Sequence, residues 1–262
     1  MIGCGMDMNL YYELLKHPVF TMEDVLPYFN NINSVRSAVK RLMDQGLVAK
    51  IRRNFYTCIS GETGSPVANR FQIASSITKT SCLSHHSAME YYGITDQVFY
   101  EVYVSSETEF KSFDFDGYTY RFIQSRIPLG IDDVKYSGGI RVTDRERTIL
   151  DSIKDMDWIA GFEEVLSNLE AMHRVKEEKL VSYLELYDNQ FLYQKTGYIL
   201  SHIPSGLGLS DSFFDLCKEK AGKSTRYFSK DYPSGKFDAE WNLVVPETVF
   251  QMKNGGELYA DV

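Results

Sequence analysis

The chain of 262 residues lacks several features that would assign it to a class of protein at once. Its four cysteines, at positions 4, 58, 82 and 217, are too far apart for a zinc or redox motif and too few for a disulfide scaffold. No stretch approaches the roughly 18 to 20 apolar residues of a membrane span, and the first residues lack the pattern of a secretion signal. We therefore expect a cytoplasmic protein with no metal and no cofactor.

Positive charge is also in short supply. Lysine and arginine number 28 against 36 acidic residues, which gives a net charge of -8 and argues against a protein that coats nucleic acid with its whole surface. The distribution is uneven, because residues 1–60 carry a net +2 and residues 61–262 a net -10. Any contact with nucleic acid must therefore be local.

The first 44 residues have the spacing of three short helices. Residues 7–16 carry an apolar stripe typical of one helical face, and this first helix ends before Pro18. Thr21–Asp24 has the spacing of a capping box for a second helix, which Pro27 shortens or bends. Ser34 is predicted to cap the third helix. The buried positions of that helix would be Val35, Ala38, Val39, Leu42 and Met43.

Two short strands are predicted to follow, over 47–51 and 55–59, joined by a turn in which Asn54 adopts a positive φ. Three helices followed by a two-stranded ribbon is the order of a winged helix-turn-helix, whose third helix enters the DNA major groove. The sequence therefore predicts a winged-helix DNA-binding domain over residues 1–60.

The charges agree with this interpretation, since residues 34–53 hold six basic side chains against one acid. Arginine can donate two hydrogen bonds to one guanine, whereas lysine acts as a point charge toward phosphate. The alternative is a basic surface that binds another protein, because winged helices serve that purpose too. The predicted DNA contacts are Ser34, Arg36, Ser37, Lys40 and Arg41 on the helix, and Lys50, Arg52, Arg53 and Asn54 in the ribbon.

A polar segment rich in turn formers, residues 60–66, indicates a domain boundary. Residues 61–262 are expected to form an effector domain of class α+β, with a possible sub-boundary near 155–175 and a mainly helical C-terminal part. Helix is predicted within 67–92, 145–154, 159–172, 177–187, 189–203 and 210–220. A small antiparallel sheet is predicted from 99–104, 109–115 and 118–124, with a turn at Asp116-Gly117, and a last strand over 241–245.

Patterns that would indicate catalysis are weak. His85 and His86 lack the spacing of a metal motif, and Asp114 and Asp116 fit a hairpin turn better than a pair of ligands. No nucleophile triad, P-loop or dinucleotide fingerprint is present. We therefore expect a protein that is not an enzyme.

The densest charged cluster of the predicted effector domain is 142–151. Thr143 or Asp144 would cap a helix there, and Ile149 and Leu150 would enter the core. Mixed charges on a first helical turn usually form a solvated, self-paired face. From composition alone we expect that arrangement here.

Taken together, the segments 34–46 with 52–56, 83–95 and 142–151 resemble the AbiEi family of antitoxins, which are transcriptional regulators of type IV toxin–antitoxin and abortive-infection loci. The likeness covers roughly residues 7–155 and continues more loosely through 195–200 and 241–246. One departure is Asn54, where glycine is expected in the wing turn.

The resemblance implies a winged helix that binds inverted repeats in its own promoter region and represses its operon. It also implies a C-terminal domain that counters a co-encoded nucleotidyltransferase-like toxin without a stable complex. The antitoxin-domain candidates at the matching positions are Arg145, Glu146, Arg147 and Asp151.

Two alternatives stay open. The chain would also fit a stand-alone winged-helix regulator whose larger domain senses a ligand or partner. In the second alternative, the winged helix delivers DNA to a nuclease or transferase, which would need clustered carboxylates. The residues to test for that activity are Asp114, Asp116, Asp238 and Glu240.

Overall fold

The computed structural model describes residues 2–95, 97–159, 161–203, 205–229 and 234–246. Their contacts divide the chain into two compact units. The first unit holds residues up to 91, with 97–126 and 131–143, and the second holds the segment after 91, residues 127–130 and the chain from 144 onward. Residues 2–60 thus belong to the same unit as the strands that follow them. The boundaries near residue 60 and near 155–175 stay predictions.

The first unit begins with three helices and a hairpin, in the predicted order. The helices are α1 (Ile2–Leu14), α2 (Met22–Val25) and α3 (Ile32–Asp44), and a 3₁₀ turn over Leu26–Tyr28 follows α2. The strands β1 (Val48–Arg52) and β2 (Phe55–Cys58) pair antiparallel. The second helix is short, as Pro27 predicts. One buried cluster joins the helices to the hairpin, including Leu10, Leu14, Phe20, Val25, Val35, Val39, Leu42 and Val48.

The start of α3 differs from the prediction. Ser34 is not the N-cap, because Asn31 takes that position and its side-chain oxygen accepts a hydrogen bond from the Ser34 backbone N–H at 2.9 Å. An asparagine is as good a cap as a serine, so α3 begins three residues earlier than expected. The capping box at Thr21 and Asp24 is present as predicted.

The rest of the first unit is a six-stranded sheet with two helices, α4 (Arg70–Ser75) and α5 (His85–Tyr91). The strands are β3 (Cys82–Leu83), β4 (Glu101–Ser106), β5 (Phe113–Phe115), β6 (Tyr118–Gln124), β7 (Ile131–Asp133) and β8 (Arg141–Thr143). Their order is β5-β6-β4-β3-β8-β7, with β4–β6 and β3–β8 parallel and the other pairs antiparallel. The sheet is thus larger than predicted and mixed. The predicted turn at Asp116-Gly117 joins β5 to β6.

The second unit contains the helices α6 (Arg145–Asp155), α7 (Phe162–Glu170), α8 (Glu177–Tyr187), α9 (Gln190–His202) and α10 (Asp211–Lys220), with a 3₁₀ turn over Ser205–Leu207. All five helices were predicted within a few residues. A small sheet of order β10-β11-β9 follows, from β9 (Arg226–Tyr227), β10 (Lys236–Asp238) and β11 (Leu243–Val245). Only β11 was anticipated. The fold class is α+β.

Packing in the second unit is close where α9 meets the segment before β11. A Cβ atom on Gly197 would lie 2.1 Å from the ring of Trp241, a fully buried side chain. Glycine is required there because the indole occupies the volume that a side chain would need.

The helices of the described residues are all too short or too polar to span a membrane.

Candidate functional site

The predicted DNA-binding surface begins with the outer face of α3. Arg36, Ser37 and Lys40 are exposed there, opposite the buried side chains of the same helix. The contacts of Arg36 and Ser37 are local, since both donate hydrogen bonds to Asn33, at 3.4 and 3.0 Å. Ser34 is half-buried at the first turn. Arg36 and Lys40 are therefore the cations that α3 presents to solvent without an acidic partner among the described residues.

Arg41, also a predicted DNA contact, is exposed but forms an ion pair within the unit. Its Nε and Nη2 donate hydrogen bonds to the two carboxylate oxygens of Asp7 at 2.9 and 2.8 Å, and Asp7 is 3% exposed. The hydrogen bonds from Arg41 lower the pKa of the Asp7 carboxyl. Arg41 thus fastens α3 to α1, and two of its donors are already used.

The hairpin presents two further cations. Lys50 on β1 and Arg53 in the turn are both exposed, as predicted. Together with Arg36, Ser37 and Lys40 they make up what we call the basic surface.

Arg52 does not belong to the basic surface. Its guanidinium carbon lies 5.4 Å from the ring centre of Phe113 in β5 and 5.9 Å from that of Phe110 just before β5, so the side chain packs on two aromatic rings. Its Nη1 is buried and has no hydrogen-bond partner among the described residues. The attraction between a cation and an aromatic face stabilises the side chain in this position, rather than in solvent beside the hairpin turn.

Asn54 also has a structural role. Its φ of 55° is positive, as predicted for the turn. The side-chain oxygen accepts a hydrogen bond from the Met22 backbone N–H at 3.0 Å, and Nδ2 donates to Glu23 at 2.7 Å, which lowers the pKa of that carboxyl. Asn54 therefore occupies the position where glycine was expected, and its side chain connects the hairpin turn to α2.

The charged cluster at the start of α6 is buried, which contradicts the expected solvated face. Asp144 is the N-cap, one of the two predicted caps, and its Oδ1 accepts the backbone N–H of Arg147 at 2.8 Å. Glu146, Arg147 and Asp151 are buried, whereas Arg145 is exposed. Of the four antitoxin-domain candidates, only Arg145 is accessible to a partner.

Arg147 is the centre of this buried network. Its side chain is fully buried, and Nη1 donates to the backbone carbonyls of Ile127 at 2.8 Å and Leu129 at 2.6 Å. Nε lies 3.3 Å from Asp151, which also accepts a hydrogen bond from the Tyr187 hydroxyl. Burial, together with the Asp151 charge, raises the pKa of Tyr187. A buried cation with this many partners holds α6 to the loop at 127–130.

Helix α8 supplies the other partners, which sequence reasoning did not identify. Lys179 Nζ and the Tyr183 hydroxyl donate to Asp144 at 2.6 and 2.7 Å. The backbone N–H of Lys176, just before α8, donates to Glu146 at 2.7 Å. A signal was present, because residues 179, 183 and 187 follow one another at the four-residue spacing of a single helix face.

A buried lysine lies elsewhere in the second unit. Lys195 is 2% exposed, its Nζ is 3.9 Å from the carboxylate of Asp157, and it lies over the rings of Phe191 and Phe228. Burial lowers the pKa of this ammonium, against the opposing effect of Asp157 and Asp155. It belongs to the loosely matching segment 195–200.

The residues that a nuclease or transferase would use have local structural contacts. Asp114 accepts a hydrogen bond from Thr119 at 2.6 Å and Asp116 forms the hairpin turn, both in the first unit. In the second unit, Asp238 accepts the Trp241 backbone N–H at 3.0 Å and Glu240 pairs with Lys218 at 2.7 Å. Among the described residues, no group of three or more potential metal ligands is present.

No family model and no curated protein matches the chain. Among solved structures, the fold is similar to the crystal structure of the RV2827C protein from Mycobacterium tuberculosis. The TM-score is 0.56, the sequences are 14% identical, and the match covers 97% of this chain and 95% of the other. At that identity the comparison establishes a shared fold.

Proposed function

We propose that the first helices and the β1–β2 hairpin form a winged helix, and that the chain is a repressor that binds double-stranded DNA through the basic surface. In this arrangement α3 is the recognition helix, with Arg36, Ser37 and Lys40 facing base edges and phosphates. Lys50 and Arg53 on the hairpin contact the backbone.

The observation that carries the proposal is the division of α3 into two faces. Its inner face is buried against α1, α2 and the hairpin, and its outer face carries exposed cations in a chain whose net charge is -8. An α-helix with its side chains is about 10 to 12 Å across, which fits a major groove about 12 Å wide, and the 13 residues of α3 extend for about 20 Å at 1.5 Å per residue.

Repression of its own operon and antitoxicity rest on the resemblance to AbiEi antitoxins. In this proposal the operator is an inverted repeat upstream of the gene, and the second unit counters a nucleotidyltransferase-like toxin encoded beside it. Because Arg147 and Asp151 are buried, we assign them to the stability of the second unit, and Arg145 is the candidate that a partner could reach.

Repressor activity is tested by titrating the purified protein against fluorescent DNA from upstream of its gene, with a scrambled duplex of equal length as control. We expect preference for the upstream DNA and a loss of affinity with added salt, because each neutralised phosphate releases about 0.9 counterions. Equal affinity for both duplexes would favour the alternative in which the basic surface binds another protein.

Antitoxin activity is tested separately by co-expression with the adjacent gene. We expect the wild-type chain to restore growth that the neighbour suppresses, and a variant that has lost DNA binding to retain rescue when both genes are driven from foreign promoters. Failure of rescue alongside intact DNA binding would favour the stand-alone regulator.

A further inference from the structure

The second unit contains a half-enclosed cavity to which the proposed function assigns no ligand. It has a volume of about 290 Å³ and is lined by Tyr92, Ile94, Arg145, Met172 and His173, among others. That volume lies just below the roughly 300 to 1,000 Å³ of small-molecule sites, which suits a small ligand. All of these lining residues belong to the same unit.

Arg145 gives the cavity a cationic group that is available to a ligand. Its side chain forms no hydrogen bond or ion pair with a described residue, and it lies near the ring of Tyr92, whose centre is 5.8 Å from the guanidinium carbon. The acids on either side of it in sequence are engaged elsewhere, since Asp144 accepts from Lys179 and Tyr183, and Glu146 from Lys176. The guanidinium donors of Arg145 are therefore not used for the buried network of α6.

The residues that directly follow Met172 and His173 of the lining are held in place by backbone hydrogen bonds. The N–H groups of Arg174 and Val175 donate to the carbonyls of Gly206 and Leu207 at 3.0 and 3.2 Å. A Cβ on Gly206 would lie 3.0 Å from His173 Nδ1, so the imidazole lies against the turn at 205–207. Met172, 2% exposed, contributes an apolar wall. A fixed loop lowers the entropic cost of binding a ligand.

We propose that this cavity binds a small aromatic compound that carries a phosphate or carboxylate group. The guanidinium of Arg145 forks onto the oxyanion, and His173 supplies a second hydrogen-bonding group. Tyr92, Ile94 and Met172 contact the apolar ring. The proposal concerns the second unit alone and does not depend on DNA binding.

The test uses two probes that share this chemistry, AMP for phosphate and salicylate for carboxylate, titrated into the full-length protein by calorimetry. Three forms are compared: wild type, Arg145→Gln, and Arg174→Gln as a control that removes a neighbouring exposed charge outside the lining. Saturable binding of at least one probe is expected. Its Kd should rise about tenfold or more in Arg145→Gln and stay unchanged in Arg174→Gln.

Adenosine and inorganic phosphate separate the two parts of the ligand, and each should bind more weakly than AMP if AMP is the better probe. The proposal is overturned if neither AMP nor salicylate binds the wild type at millimolar concentration. It is equally overturned if both variants lose the same affinity, because binding would then follow net charge and not the cavity.

Discussion

Neighbouring cations on α3 differ in what they do, and the difference lies in their partners. Lys40 is exposed, whereas Arg41 donates two hydrogen bonds to a carboxylate that is almost fully buried. Removing Arg41 therefore leaves a buried charge without its partner, and removing Lys40 does not. We therefore expect Arg41 to affect stability and Lys40 to affect only the proposed DNA binding.

We predict that Arg41→Ala lowers the free energy of unfolding by about 1 to 2 kcal/mol, a modest value because the Arg41 side chain is 47% exposed. Lys40→Ala is the matched control, and we expect it to change stability by no more than about 0.5 kcal/mol. Urea unfolding at neutral pH measures both. Equal stability of the two variants would contradict the assigned role of Arg41.

The same ion pair predicts a pH dependence. Arg41 holds the pKa of Asp7 below its ordinary value of 3.8 in the folded protein, so the stabilisation is complete above that value. It is lost as the pH falls through the lowered pKa, when the folded carboxyl also takes up a proton. The difference in unfolding free energy between wild type and Arg41→Ala should therefore shrink in acid. A difference that stays constant from neutral pH into that range would exclude the Asp7 pairing as its cause.

Asn54 allows the backbone and side-chain contributions of one residue to be separated. Asn54→Ala loses the hydrogen bonds to Met22 and Glu23 and places an alanine at positive φ, whereas Asn54→Gly loses the same bonds without that strain. We expect Asn54→Ala to be less stable than Asn54→Gly by about 1 kcal/mol. Thermal or urea unfolding of the two variants tests this, and the reverse order would contradict it.

At the scale of elements, helix α6 shows how burial changes the role of a charged motif. Its first turn is rich in charge, yet the side chains of Glu146, Arg147 and Asp151 lie inside the second unit. Their partners come from Lys176, from helix α8 and from residues 127–130, which are distant in sequence. These charged side chains are thus used for contacts within the second unit.

We predict that Arg147→Met costs about 3 to 5 kcal/mol of unfolding free energy, because it leaves Asp151 and two backbone carbonyls without their cation. Arg147→Lys should have an intermediate unfolding free energy, since it keeps the positive charge but lacks the several fixed donors of a guanidinium. Arg145→Met, one helical position from the buried network, should be close to wild type. If Arg147→Met matches Arg145→Met in stability and soluble yield, the network does not hold this helix.

Long periodic elements were predictable from the sequence and short paired ones were not. The pattern of α3 and of the helices over 177–187 and 210–220 repeats over several turns, so local spacing was enough. Strands such as β7 and β8 have three residues each, and their pairing brings together segments that no local pattern connects. Likewise, Asn31 replaced Ser34 as a cap because several good caps stand close together.

At the scale of the whole molecule, the uneven distribution of charge along the chain could be predicted from the sequence, but the contacts of each basic side chain could not. Exposure of Arg36, Lys40, Lys50 and Arg53 follows from helix and hairpin geometry. The engagement of Arg41 with Asp7 and of Arg52 with Phe113 depends on tertiary contacts that span tens of residues. The same holds for the cavity beside Arg145, which combines residues from near positions 92, 145 and 172.

The most direct test of the central claim compares two double variants with the same change in net charge. Arg36→Ala/Lys40→Ala removes cations of the basic surface, and Lys111→Ala/Lys135→Ala removes exposed cations elsewhere in the first unit. The quantity measured is the affinity for the upstream DNA across a salt series. We predict a loss of about tenfold or more in the first variant, with a salt slope lower by up to about 1.8, and near wild-type values in the second. Equal losses in both, or none in the first, would contradict the assignment of α3 as the recognition helix.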